Sequence, residues 1–233
     1  MHKLIKSTLE QAANPNKAIV LAGFFKTGAG QYGEGDIFIG VPIPEIRRLC
    51  KQFVKQVELN DIQTLLNDPI HEVRMLAVLL LVYSFEKADE AGRKTFYEFY
   101  LANTARINNW DLVDVSAGQI VGCYLFDKDR AVLYQLAQSD SLWEQRIAII
   151  ATFYFIKRQQ FDDTFAIARL LLTHKHDLIH KAVGWMLREV GKKDRAALES
   201  FLDSCYRTLP RTLLRYAIEK FPEPLRQHYL AKP

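Results

Sequence analysis

Apolar residues recur at spacings of three and four through 43–57, 70–85, 92–102, 110–125, 128–138, 142–156, 161–172, 177–190, 194–206 and 210–220. That period matches the turn of an α-helix, and the two-residue alternation of a half-buried strand is scarce. Short polar residues or proline punctuate most joins, as in Asn67-Asp68-Pro69, Ser139-Asp140-Ser141, His176-Asp177 and Leu209-Pro210. Such residues cap a helix or stop one. The pattern predicts an all-α chain.

The helices also recur in pairs. Arg74, Asn109/Trp110, Gln145/Arg146, His180/Lys181 and Arg215 follow one another at about 35 residues, each opening the second helix of its pair. That is the period of a two-helix repeat, and the Trp, Leu, Gly and Tyr signature of a tetratricopeptide repeat is missing. The expectation is a single HEAT-like α-solenoid over 1–233, with second helices lining a concave face. Arg74, Arg146, Lys181 and Arg215 would form a basic ladder suited to a phosphate backbone, or would serve as capping and ion-pairing groups.

One segment breaks the period. Gly23 to Asp36 is glycine-rich and contains Gly28, Gly30 and Gly33 in G-x-G-x-x-G order. No strand precedes it and it carries no P-loop lysine, so it does not read as a nucleotide fingerprint. With Lys26 and Tyr32 it is either a loop whose backbone approaches a phosphate or a plain connection near 23–40.

Composition narrows the class. The 233 residues are 49% hydrophobic and 25% charged, ordinary for a globular protein with a sizeable core. The longest apolar run, Met75–Tyr83, is too short to span a membrane, and the first residues lack the apolar stretch of a signal peptide. Cys50, Cys123 and Cys205 are widely spaced in apolar segments and read as buried thiols of a reducing compartment; the cytoplasm is expected. Residues 141–233 hold 16 Lys and Arg against 10 Asp and Glu, whereas 1–140 hold 15 against 17. A basic C-terminal half suits a polyanion.

The candidate chemistry centres on Asn108-Asn109-Trp110-Asp111-Leu112-Val113-Asp114. Asn108 or Asn109 is a fitting N-cap, and Asp111 suits the first turn. Trp110 and Asp114 are four apart, so a helix sets an indole and a carboxylate on one face, both able to stabilise a nearby cation. A core Trp beside a solvated Asp is the plainer reading of the same spacing. His176 and His180 share a helical face near His174 but lack the H-E-x-x-H arrangement, and exposed polar histidines are expected. Trp143 and Phe153-Tyr154-Phe155 read as core, and no hydrolase nucleophile motif is present.

These pieces fall one per repeat: Trp110 with Asp114, Arg146 in Leu142–Ala148, and Trp185 in Lys181–Glu189. With Gly-Val-Pro-Ile-Pro-Glu-Ile-Arg at 40–47, the ordered set resembles the AlkD-type family of DNA-alkylation-repair glycosylases over nearly the whole chain. The resemblance implies excision of cationic alkylpurines such as 3-methyladenine and 7-methylguanine from duplex DNA, leaving an abasic site. It implies that Trp110 and Trp185 pack against the sugar of the lesion nucleotide, that Asp114 is the catalytic carboxylate, and that Arg146 lies near the lesion's backbone. Lys26, Arg74, Lys181, Arg188 and Arg215 are the expected DNA contacts. The chemistry implies no metal and no organic cofactor, and a monomer acting on DNA is expected. Phe24 and Pro42 stand where the family sometimes carries amide or hydroxyl groups, so the N-terminal contacts depart from the pattern. A catalytically silent DNA-binding paralogue and a HEAT-type protein scaffold are the alternative functions.

Overall fold

The computed structural model describes residues 1–231 and consists of helices, turns and one isolated bridge between Ile37 and Ile70. It divides into two compact units, Met1–Ser116 and Ala117–Pro233.

The first unit contains α1 (His2–Glu10), α2 (Pro15–Phe24), α3 (Ile43–Phe53), α4 (Leu59–Leu66), α5 (His71–Lys87), α6 (Glu90–Ala102) and α7 (Trp110–Asp114). Helix α5 is its axis. Every residue from His71 to Val82 is buried, and α3, α4, α6 and α7 pack around it. Over Met75–Val82 the helix is apolar on all sides and has no solvent face, and a fully buried Leu or Val contributes roughly 1.5–3 kcal/mol by leaving water. The apolar run at Met75 is therefore a core helix, and among the described residues no helix is long and apolar enough to cross a membrane.

Helix α2 has the opposite character. Asn14 caps it by accepting from the Lys17 N–H, and none of its residues is buried, with Ile19 74% and Val20 69% exposed. Its start is tied to the core by the Asn14 N–H, which donates to the Ile39 carbonyl. Gly40 makes that approach possible: its φ is +83°, and a Cβ there would lie 2.1 Å from the Asn14 carbonyl oxygen.

The second unit begins with a π-helical turn, Gly118–Gly122, followed by α8 (Ala131–Ala137), α9 (Leu142–Ala151), α10 (Phe153–Ile156), α11 (Asp162–Leu171), α12 (Asp177–Lys193), α13 (Arg195–Asp203), α14 (Arg211–Ala217) and α15 (Glu223–Leu230). Helix α12 packs against α9, α10, α11, α13 and α14.

Two stretches expected as continuous helices are interrupted. In 110–125 the Ser116 hydroxyl donates to the Leu112 carbonyl at 2.6 Å, competing with the backbone ladder where α7 ends. A wide turn follows, in which the Gly122 N–H reaches back five residues to Ala117. A Cβ on Gly122 would sit 2.1 Å from the Ala151 carbonyl oxygen, so the turn presses on α9 where only glycine fits. In 142–156 the buried Thr152 hydroxyl donates to the Ile149 carbonyl, and α9 gives way to α10. The all-α expectation holds, and each anchor of the 35-residue period falls at the N-cap or within the first five residues of α5, α7, α9, α12 or α14.

Candidate functional site

Helix α7 is five residues long. An isolated helix of that length has no stability of its own in water, because nucleation consumes more order than its few hydrogen bonds return. Its position must therefore come from contacts at its ends and inner face. Leu112 and Val113 are buried, whereas Trp110 and Asp114 are half-buried and lie one turn apart. Asn109 is the N-cap, accepting from the Trp110 N–H at 2.8 Å. Beyond the other end, Ser116 is hydrogen-bonded to the buried Tyr100 hydroxyl at 3.0 Å. Burial keeps that phenol protonated, and the nearby Asp114 carboxylate acts in the same direction.

The start of α7 is fixed by a buried ionic cluster. His71, the first residue of α5, is 2% exposed. Its Nδ1 lies 3.1 Å from Asp36 Oδ2 and its Nε2 lies 2.8 Å from Asp111 Oδ2. Both ring nitrogens face carboxylates, so both carry a proton and donate. Burial alone would discharge the ring, but the two carboxylates outweigh it and push its pKa up to about 9. Asp36 also accepts from Arg74 Nη2 at 2.6 Å and from Asn109 Nδ2 at 3.0 Å. Although burial would raise the Asp36 pKa, His71, Arg74 and Asn109 hold it below the usual carboxylate range. Two cations thus face two carboxylates, which is how charges tolerate a dry interior.

Next along α5, the buried Glu72 carboxylate accepts from the backbone N–H groups of Ile39, Gly40 and Val41 at 2.7–3.3 Å. It holds the 39–41 loop against the core. Aromatic rings complete the arrangement. The Trp110 indole stacks on Phe25 at 5.1 Å and 12°, Phe25 stacks on Phe38 at 4.9 Å, and Phe38 stacks on the His71 ring at 4.6 Å. Phe24, 61% exposed, meets the Trp110 edge at 5.9 Å. Behind these rings lies a mainly apolar cavity of about 480 Å³ that also reaches Asp111.

In the second unit, Trp185 is half-buried on α12, donates its indole N–H to Glu189 at 3.1 Å, and lies 5.9 Å from the Phe153 ring. Arg146 is buried, with one guanidinium N–H donating to the Leu178 carbonyl at 2.6 Å near the start of α12. Trp143, Phe153 and Tyr154, expected in the core, are half-buried, whereas Phe155 is fully enclosed.

The basic ladder does not form an exposed row. Arg74 is 4% exposed and its guanidinium is engaged by Asp36 and by the Asp68 and Pro69 carbonyls. Its charge is neutralised by the Asp36 carboxylate. Arg146 is likewise 4% exposed. Lys181 pairs with Asp177 one turn away, and Arg188 pairs with Glu219 and Glu189. Arg215 and Lys26 are exposed. The glycine-rich loop does not offer a phosphate cradle either: the Gly28 N–H donates to Gln31 and the Gly30 N–H to Glu34 within the loop. Its structural product is Asp36. The three histidines are half-buried, with His176 accepting from the Leu178 N–H and His180 bonded to the His174 carbonyl.

Sequence reasoning passed over His71, Glu72 and Asp36. A signal was present: His71, Glu72 and Arg74 stand directly before the apolar run Met75–Tyr83, and charges on a helix buried to that extent must find partners. Which partners they find is not encoded locally.

No match was found among curated protein sequences. Among solved structures, one described as a predicted DNA alkylation repair enzyme from Enterococcus faecalis superposes with a TM-score of 0.71 over 91% of this chain and 97% of that one, at 18% identity. At that identity the similarity speaks for the fold. The family model described as DNA alkylation repair enzyme matches residues 5–221, nearly the whole chain. Carrying that match from α1 to Phe221, the chain belongs to the DNA alkylation repair enzyme family.

Proposed function

We propose that the protein is a DNA glycosylase that removes cationic N3- and N7-alkylpurines from duplex DNA. The observation that carries this reading is the pairing of Trp110 and Asp114 on the open face of α7, a helix held at both ends by buried polar groups. An alkylated purine already carries positive charge, so its C1′–N bond breaks with the electron pair leaving on the base, which departs neutral without a general acid. The sugar left behind resembles an oxocarbenium ion, as in glycoside hydrolysis. A preorganised carboxylate and an indole face stabilise charge that develops only as the bond breaks, which lowers the barrier.

Asp114 then orients the water that adds to C1′ and accepts its proton. Trp110 and Trp185 pack against the sugar of the lesion nucleotide. Arg146 holds the flanking phosphate; as it is buried, only a backbone drawn close to α9 would meet it. Lys26, Lys181, Arg188 and Arg215 are the remaining proposed contacts to the DNA backbone.

The test is release of methylated base from alkylated duplex DNA by the wild type and by Asp114→Asn. The expected result is a rate lower by about 10²–10³-fold in the variant, the usual loss when one preorganised electrostatic group is removed. Equal release by both would take Asp114 out of the mechanism. Release by neither, with duplex binding intact, would leave a silent DNA binder.

A further inference from the structure

The proposed chemistry uses the outward face of α7 and leaves its inward anchor without a role. That anchor is a buried imidazole between two carboxylates on different elements: Asp36 from the glycine-rich loop and Asp111 from α7 itself. Asp111 follows Trp110 and precedes Asp114 by three residues, so a displacement of Asp111 moves both. The same Asp36 carboxylate holds Asn109, the N-cap that receives the Trp110 N–H. One histidine therefore sets the start of α7 through two independent hydrogen-bond routes. A third route is apolar, running from the His71 ring through Phe38 and Phe25 to the Trp110 indole.

We propose that His71 is a positioning residue for base excision: gripped between Asp36 and Asp111, it fixes the direction of α7 and so the places at which Trp110 and Asp114 meet the lesion nucleotide. Its service to excision rests on the function proposed above; its hold on α7 does not. The ring makes no direct contact with substrate in this scheme. The charged groups around it are Asp36, Asp111, Arg74 on Asp36, and Glu72, whose carboxylate is turned to the 39–41 backbone. A neutral imidazole can donate to only one of the two carboxylates, so loss of one proton frees one side of the clamp.

The test uses the full chain labelled with 5-fluorotryptophan, whose three indoles report separately by ¹⁹F NMR, alongside single-turnover release of alkylated base at saturating enzyme. The variants are His71→Gln, which removes the double donor, and Asp111→Asn, which keeps the side-chain shape and removes the charge. In the wild type the Trp110 resonance should move as pH rises through about 9, while those of Trp143 and Trp185 stay in place. In Asp111→Asn that transition should move to lower pH, since the carboxylate that favours the charged ring is gone. His71→Gln should abolish the transition and lower the single-turnover rate by about a hundredfold, the scale of a 1 Å misplacement, with duplex affinity little changed.

A Trp110 resonance indifferent to pH and to both variants would overturn the proposal. So would wild-type release by a folded His71→Gln. If the wild type released no base while its Trp110 resonance still followed His71, the excision reading would fall and the hold on α7 would stand. Should His71→Gln fail to fold, Asp111→Asn and the wild-type pH series decide the question.

Discussion

His71 Nε2 stands 2.8 Å from Asp111 Oδ2, and the residue before Asp111 is Trp110. The interior of the first unit is thus joined to the start of α7 by a charged contact, beside the Asp36–Asn109 hydrogen bond and the ring stack that ends on Trp110. The ring gains its proton from folding: its pKa rises from the ordinary 6.5 to about 9. A group raised in this way contributes stability that is fully present below the unfolded value and is lost as pH climbs to the folded one.

The first prediction follows from that sign. Urea midpoints should be higher at pH 6 than at pH 9.5, with a His71-dependent difference on the order of 3 kcal/mol. The difference should vanish in His71→Gln. An unchanged wild-type midpoint across that window would contradict the buried imidazolium.

Asp36 works in the other direction. Its folded pKa is lowered, so its contribution is present above the unfolded value of 3.8 and is lost as pH falls through the folded one. Acid unfolding should therefore begin at higher pH in Arg74→Gln, in which one cation over Asp36 is missing. Far-UV circular dichroism during acid titration reads this directly. Arg74→Ala should also cost about 3–5 kcal/mol of stability, as removal of one partner from a buried pair does.

Arg74 and Lys26 or Arg215 should behave differently on DNA. Each exposed cation that neutralises a phosphate contributes about 0.9 to the slope of log affinity against log salt. Lys26→Ala and Arg215→Ala should each make that slope shallower by about one, with unchanged thermal stability. Arg74→Ala should lower stability and leave the slope of the folded protein in place. A salt titration of duplex binding by fluorescence anisotropy separates the two outcomes.

Gly40→Ala should destabilise the first unit by roughly 2 kcal/mol or more, because it combines a left-handed backbone with a Cβ driven against the Asn14 carbonyl. The expected sign is early loss of α2, seen as faster amide exchange over Pro15–Phe24. Exchange no faster than in the wild type would show that α2 does not depend on this approach.

Cys50 should resist thiol reagents in the native protein. Burial pushes its pKa up to about 12, and its thiol lies 3.6 Å from the Leu76 carbonyl. Mass spectrometry after iodoacetamide should find Cys50 modified only once the chain unfolds, whereas Cys123 and Cys205 are half-buried.

Much of this was readable from the chain alone because it depends on neighbours in sequence. Helical period, capping by Asn109, and the shared face of Trp110 and Asp114 all arise within four residues. The interruptions at Ser116 and Thr152 were less visible, since a hydroxyl turned back on its own helix competes with the ladder only when that geometry is reached. The ladder of basic residues misled at Arg74 for a related reason. Position in a repeat says which helix turn a residue occupies, but not whether a carboxylate from another element folds over it.

The amino-acid sequence by itself determined the all-helical class, most helices from α3 to α14 and the pairing of an indole with a carboxylate, since spacing along a helix is a local property of the backbone; α1, α2, α4 and α15 fell outside the stretches it marked. Only the tertiary structure decided which charges are buried and with whom. Asp36 and His71 are 35 positions apart and His71 and Asp111 are 40 apart, and no local rule joins them. The desolvation of a charge depends on everything that packs around it, and that is settled when the elements close on one another.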